Sequence, residues 1–67
     1  MSKPFAVPAS RIADCTELIN SGKFSGYDLA YLYRCRSDAY VAIGDTERGL
    51  KDYKQMISIN AREQSAD

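Results

Sequence analysis

The hydrophobic residues of this chain recur at spacings of three and four, and this pattern predicts three helices separated by short turns. The predicted helices span about 9–20, 26–43 and 46–61. Their apolar series are Ile12, Cys15, Leu18 and Ile19 in the first, Leu29, Leu32, Tyr33, Tyr40 and Ile43 in the second, and Leu50, Tyr53, Met56 and Ile57 in the third. Since no segment alternates between apolar and polar residues with a period of two, the predicted fold class is all-α.

Turn-forming residues separate the three apolar series. The segment "NSGKFSG", residues 20–26, follows the first helix, and Ser25 and Asp28 have the spacing of a capping box for the second. Gly44 suits the left-handed end of the second helix, and Asp45 directly after it suits the N-cap of the third. Because both connections are short, neighbouring helices are expected to run antiparallel.

The start of the chain differs from the rest. Pro4 and Pro8 predict an extended segment over residues 1–8, with Pro8 also suited to a helix start. Residues 9–67 are expected to form one small helical domain. A chain of this length buries only about 60% of the surface that its unfolded form exposes, so we expect a thin core and marginal stability.

The second predicted helix lies between two neighbours and therefore needs two packing faces. Its apolar series would form one face, and the other would consist of small residues that permit close approach, namely Ala30, Ser37 and Gly44. A third face is left over, at spacings of three, four and three, formed by Tyr31, Arg34, Asp38 and Val41. Tyrosine and arginine are enriched in binding hot spots, so this is the candidate partner-binding face. The alternative is a solvated face on which Arg34 and Asp38 form an ion pair that contributes little.

Residues 28–61 contain small, aromatic and apolar residues in a characteristic order. The set comprises Tyr33, Ser37, Ala39, Tyr40, Ile43, Gly44, Gly49, Tyr53, Met56, Ile57 and Ile59. It resembles one complete tetratricopeptide repeat, a helix-turn-helix unit of about 34 residues. Within this resemblance, Ser37 and Gly49 take the small positions where the two helices meet. The pair Arg36–Ser37 resembles a form seen in many bacterial repeats.

The first predicted helix resembles the third. The stretch "RIADCTELIN" aligns with "GLKDYKQMIS", 38 residues later. The aligned pairs are Ile12 with Leu50, Asp14 with Asp52, Cys15 with Tyr53, Leu18 with Met56 and Ile19 with Ile57. Residues 9–24 therefore resemble the second helix of a preceding repeat, and the chain resembles about one and a half repeats.

The resemblance implies antiparallel hairpins of the tetratricopeptide type and a protein or peptide partner, as in an adaptor or scaffold. An unrelated three-helix bundle is the alternative fold, and a self-associating structural module is the alternative function. Three residues depart from the family pattern, and one of them is Arg11, which stands at the small position in the first helix. Ala61 stands where the family usually has proline, so the third helix is expected to run on. Gly49 replaces the usual alanine, which costs about 1 kcal/mol of helix propensity.

The sequence offers little catalytic or metal-binding chemistry. It contains no histidine, and no pair of carboxylates stands out as an acid–base couple. Cys15 and Cys35 have no zinc-site spacing, so we expect two reduced core thiols. A disulfide between them is one alternative, and a sensor thiol at Cys35, between Arg34 and Arg36, is another. We therefore expect no enzyme activity, no cofactor and no metal.

The charge balance bears on partners. Nine basic residues offset nine acidic ones, which argues against a nucleic-acid partner. A helix-turn-helix DNA binder would depend on Arg48, Lys51 and Lys54, and acidic residues lie among them. The start "MSKPFAVPAS" lacks the apolar region of a signal peptide, and no apolar run is long enough for a membrane span. We expect no membrane partner, and a cytoplasmic location if this is the complete chain.

The third helix also predicts an assembly. Ile57 and Ile59 lie on neighbouring faces, so the second helix is not expected to cover both. An apolar side chain left in water forfeits roughly 1.5–3 kcal/mol of burial. We therefore expect that a homodimer, or an extension of the third helix past Ala61, covers Ile59.

Overall fold

The structure, a computed structural model, describes residues 8–65 and consists there of three helices: α1 (Pro8–Asn20), α2 (Gly26–Ala42) and α3 (Thr46–Gln64). The all-α fold class is confirmed, and the predicted helix boundaries agree within three residues. Helix α2 lies in the middle and packs against both others, whereas α1 and α3 make no contact with each other within this range. The extended segment predicted at residues 1–8 lies outside the described residues, except that Pro8 begins α1.

The helix ends follow local sequence. Asp45 caps α3 as predicted, because its side chain accepts a hydrogen bond of 3.2 Å from the Arg48 amide. Gly44 has a φ of 90° in the turn after α2, which a residue with a side chain rarely adopts. The capping box predicted for α2 is wrong in one respect. Ser25 holds the N-cap position with an extended backbone, but its hydroxyl makes no capping bond.

Helix α3 runs past Ala61 to Gln64, three residues beyond its predicted end. The absence of proline at this position permits the extension. Its last turn carries Arg62, a favourable charge near the carboxyl end of a helix.

The face that α3 turns towards α2 is not its apolar series. The buried residues of α3 are Gly49, Asp52 and Ile59. Three residues of the predicted stripe are instead about half exposed: Leu50 (50%), Tyr53 (47%) and Ile57 (48%). The predicted face was wrong because the prediction ranked positions by hydrophobicity alone. Helix α2 instead approaches Gly49, the smallest residue of α3, and Asp52, whose charge Arg36 of α2 neutralises.

Two expectations for α2 are also corrected. Ile43, placed in the apolar series, is 51% exposed at the end of the helix. Gly44, placed on the close-approach face, is exposed in the turn, where its backbone conformation rather than its size is needed. Ala30 and Ser37 are buried, in agreement with the small face predicted for this helix.

The core is thin. Its buried apolar residues are Cys15, Ala30, Leu32, Ala39 and Ile59, and no large side chain of the described residues is less than 2% exposed. Ile59 is 5% exposed in the single chain and α3 runs past Ala61, in agreement with the extension rather than the homodimer as the expected cover. Ile57 is the isoleucine left open, at 48% exposed.

Candidate functional site

Among the described residues, the largest cluster of side-chain hydrogen bonds is centred on Arg36, in the middle of α2. Its Nε donates to Asp52 Oδ2 at 2.7 Å and its Nη2 to Asp52 Oδ1 at 2.8 Å. Its Nη1 donates to Thr16 Oγ1 at 3.0 Å. One guanidinium therefore joins all three helices, because Thr16 belongs to α1 and Asp52 to α3.

Two aromatic rings complete the surroundings of Arg36. Its guanidinium carbon lies 5.6 Å from the ring centre of Tyr33 and 5.8 Å from that of Tyr40, within the range of cation–π attraction. The hydrogen bond to Asp52 raises the pKa of Arg36 and outweighs burial, which lowers it. Both charges therefore have partners inside the protein.

Sequence reasoning did not pair Asp52 with Arg36 and therefore missed this cluster. A usable signal existed, because Asp52 lies three residues after Gly49 and seven before Ile59, on the same face of the helix. An aspartate on a face that also carries a glycine and an isoleucine indicates a buried partner. The sequence did not indicate which arginine would be that partner.

The two small positions of the repeat-like pattern meet between α2 and α3. The Ser37 hydroxyl donates a 2.7 Å hydrogen bond to the Gly49 carbonyl. A Cβ atom added at Gly49 would lie 2.8 Å from Val41 Cγ2 and 3.0 Å from the Ser37 carbonyl oxygen. Glycine at this position thus permits the close approach of the two helices, despite its low helix propensity.

All four residues of the candidate partner-binding face are exposed, with Tyr31 at 63% and Val41 at 51%. Arg34 and Asp38 do not form the local ion pair that was the alternative, since no carboxylate of residues 8–65 lies within 4.0 Å of Arg34. The face is divided between two grooves that run along the junction of α2 and α3.

The first groove, called the Tyr31 groove, has a volume of about 190 Å³ and is lined by Tyr27, Ala30, Tyr31, Arg34, Met56 and Asn60. Its walls combine aromatic, aliphatic and cationic groups. The Asn60 side-chain oxygen is buried and has no hydrogen-bond partner among the described residues. A buried acceptor of this kind costs roughly 1–3 kcal/mol when it is left unpaired.

Tyr31 lies at the exposed edge of this groove. Hydrogen bonding to the Cys35 thiol, one helical turn later, raises the pKa of the Tyr31 phenol. The positive charges of Arg11 and Arg34 lower it, but they do not offset the increase. The tyrosine is therefore neutral near pH 7 and presents a phenol in the groove that Arg34 also lines.

The second groove, called the Gly49 groove, has a volume of about 240 Å³ and is lined by Ser37, Asp38, Val41, Thr46, Gly49, Leu50 and Tyr53. Its floor is the glycine itself, and three exposed apolar side chains surround it. Asp38 and Val41, from the candidate face, belong to this groove rather than to the first. The predicted face is thus one strip of α2 whose residues line two separate grooves.

Cys15 and Cys35 are free thiols. Cys15 is buried, and burial is the main cause that raises the pKa of its thiol above 9.0, with the neighbouring Cys35 as the next. Within residues 8–65, no group of three or more histidine, cysteine, aspartate or glutamate side chains could hold a metal ion. None of the three helices is long and apolar enough to span a bilayer. In comparisons with known proteins, no family model, no curated protein and no solved structure matches this chain.

Proposed function

We propose that the chain is a non-catalytic protein-binding module, of the adaptor or scaffold kind, that holds a segment of a partner protein in the Tyr31 groove. The observation that carries this proposal is the exposure of Tyr31, at 63%, beside Arg34 at the edge of a groove between α2 and α3. A tyrosine and an arginine so placed are the side chains that most often dominate the energy of a protein interface.

Three features of the groove support a protein ligand. Tyr27 is also 56% exposed, lies one turn before Tyr31 and lines the same groove. Arg34 lacks a carboxylate partner within the described residues and is free to bind one from outside. The unpaired oxygen of Asn60 offers an acceptor to a backbone amide of the ligand once the side chain turns towards the groove.

The arrangement of α2 and α3 supports a hairpin of the tetratricopeptide type. Ser37 and Gly49 meet at the helix junction, and Gly44 occupies the turn with a left-handed backbone. The family resemblance assigned Ser37 and Gly49 to the positions where the two helices meet, and Gly44 belongs to the residue set that carries this resemblance. A hairpin of this kind presents side chains of α2 beside α3, where the Tyr31 groove lies.

The charged residues of the protein do not favour the alternative function of DNA binding. The charges of Arg36 and Asp52 neutralise each other inside the protein. Of the three basic residues considered for DNA binding, Arg48 contacts Asp45 at 3.3 Å, which leaves Lys51 and Lys54 as the unpaired cations of that set. Two lysines do not make the basic stripe that duplex binding needs.

A random peptide library displayed on phage tests the proposal. We expect enriched peptides to bind the purified chain with micromolar dissociation constants. The substitutions Tyr31→Ala and Arg34→Glu should each weaken binding at least tenfold, which corresponds to about 1.4 kcal/mol. Because both side chains are exposed, thermal melting of these variants should match that of the parent.

Matched substitutions elsewhere serve as controls. Tyr53→Ala removes another half-exposed tyrosine, and Arg62→Glu reverses another exposed arginine, both on α3. These two variants should bind the selected peptides as the parent does. If no peptide is enriched, or if binding depends on Tyr53 rather than on Tyr31, the Tyr31 groove is not the binding site.

A further inference from the structure

The exposed apolar residues of α3 form a stripe that the described part of the chain leaves uncovered. Leu50, Tyr53 and Ile57, called the α3 stripe, are each about half exposed and lie three and four residues apart. Their aligned counterparts in α1 are Ile12, Cys15 and Ile19. Ile12 and Ile19 are partly buried and Cys15 is only 7% exposed.

Helix α2 is what covers the counterpart residues in α1. It is the only described helix that packs against α1. The other face of α1 shows the opposite pattern: Leu18 is 41% exposed, whereas its counterpart Met56 is partly buried against α2. Helix α2 thus covers the face of α1 that corresponds to the α3 stripe, whereas in α3 it covers a different face and leaves the stripe exposed.

We infer that the α3 stripe binds an amphipathic helix of a protein partner, in the way that α1 binds α2. This surface is separate from the Tyr31 groove, so it adds a second binding site to the module. The Gly49 groove lies directly beside the stripe and shares Leu50 and Tyr53 with it. Its recess of about 240 Å³ is large enough to accept an apolar side chain of the incoming helix.

One polar contact specifies the chemistry of the incoming helix. In the α1–α2 interface, Thr16 accepts a hydrogen bond from Arg36. The counterpart of Thr16 in α3 is Lys54, which borders the stripe because it lies four residues from Leu50 and three from Ile57. An arginine of the partner helix at the position of Arg36 would be repelled by Lys54. The partner helix should therefore carry an acidic residue at the position that Arg36 holds in α2.

A second copy of the chain does not supply such a helix. In each copy, α2 is already enclosed by its own α1 and α3. Two α3 stripes could face each other about a two-fold axis either as a parallel pair or as an antiparallel pair centred on the middle of the stripe. Either arrangement would bring Lys54 of one copy close to Lys54 of the other, which is unfavourable.

The test uses α2 itself as a template. A labelled peptide of residues 26–43 with Arg36→Glu is titrated with the purified chain, and its anisotropy is recorded. The same peptide with Arg36 unchanged is the control. We expect the glutamate peptide to bind at least tenfold more tightly. Introducing Lys54→Glu into the chain should reverse this preference.

Matched variants locate the bound peptide. Leu50→Ser in the chain should abolish binding, whereas Leu18→Ser, at a similarly exposed leucine of α1, should leave it unchanged. Tyr31→Ala should also leave it unchanged, which separates this inference from the proposed function. Binding by neither peptide overturns the inference, and so does binding that ignores Leu50 or Lys54. Sedimentation can also show that the chain associates with itself and that Leu50→Ser removes this association. That result would assign the stripe to a second copy and would overturn the inference as well.

Discussion

Arg36 and Asp52 form a two-point ion pair across the junction of α2 and α3, and their side chains are only 18% and 7% exposed. Such a pair gains from its hydrogen bonds and loses from the removal of two charges from water. Its net contribution can therefore be small, although the loss of one partner is costly. The pair sets the register of α2 against α3, because the planar guanidinium accepts a carboxylate in only a few orientations.

Breaking the Arg36–Asp52 pair should destabilise the protein strongly. We expect Asp52→Leu to lower the free energy of unfolding by about 3 kcal/mol or more, because it leaves a buried guanidinium without a counter-charge. The double variant Arg36→Met, Asp52→Leu should recover much of this loss. Urea denaturation followed by circular dichroism measures both. Additive losses in the double variant would show that the two charges do not interact in this way.

Adding a methyl group at Gly49 should be unfavourable, although alanine is the better helix former by about 1 kcal/mol. The new Cβ would lie 2.8 Å from Val41 Cγ2 and 3.0 Å from the Ser37 carbonyl oxygen. Overpacking of this kind costs about 1–3 kcal/mol, so Gly49→Ala should lower the melting temperature. In a Val41→Ala background the loss should shrink. A higher melting temperature for Gly49→Ala alone would mean that the helices are not in close contact there.

The two isoleucines near the end of α3 should respond differently to a charge. Ile59 is 5% exposed and Ile57 is 48% exposed. We expect Ile59→Glu to unfold the isolated chain, since a buried unpaired charge costs several kcal/mol. Ile57→Glu should change the free energy of unfolding by no more than about 0.5 kcal/mol. Circular dichroism at 222 nm separates the two outcomes, and equal effects would contradict the assigned face of α3.

The two thiols should differ in reactivity. Cys15 is buried with a raised pKa, whereas Cys35 is partly exposed. We expect a disulfide reagent to modify Cys35 first and Cys15 slowly, so that Cys35→Ser retains only the slow phase. Absorbance of the released thiolate measures both phases, and a fast phase in Cys35→Ser would contradict the burial of Cys15.

The raised pKa of Cys15 also links stability to pH. Above about pH 9.0, the unfolded thiol ionises while the folded one stays protonated. The contribution of Cys15 to stability is therefore complete below this pH and is lost as the pH rises. A Cys15→Ala variant should lose less stability between pH 8 and pH 10 than the parent.

The three helices were predictable because their signals are local. The turn glycine Gly44 and the cap Asp45 act on residues within one helical turn, and the spacing of apolar residues indicates helical periodicity. The buried face of α3 was missed because apolar spacing alone does not favour a glycine and an aspartate. The partner of Asp52 was not predictable locally, since Arg36 lies 16 residues before it in the sequence and is brought to it only by the antiparallel arrangement.

The candidate site also combines features that local sequence predicts with features that depend on how the helices pack. Helical spacing alone placed Tyr31, Arg34, Asp38 and Val41 on one exposed strip of α2. It did not predict that this strip divides between two grooves, because each groove takes its other wall from α3. Asn60 and Met56 entered the Tyr31 groove only once the position of α3 beside α2 was known.

The central position of α2 also determines how the molecule opens. The two helix interfaces are arranged in series, so the α1–α2 interface can separate while the α2–α3 interface stays closed. That partial opening breaks the bond between Arg36 and Thr16 but keeps both bonds to Asp52. Amide protons of α1 should therefore exchange with solvent through a low-energy local opening, whereas those of α2 exchange only when the whole chain unfolds.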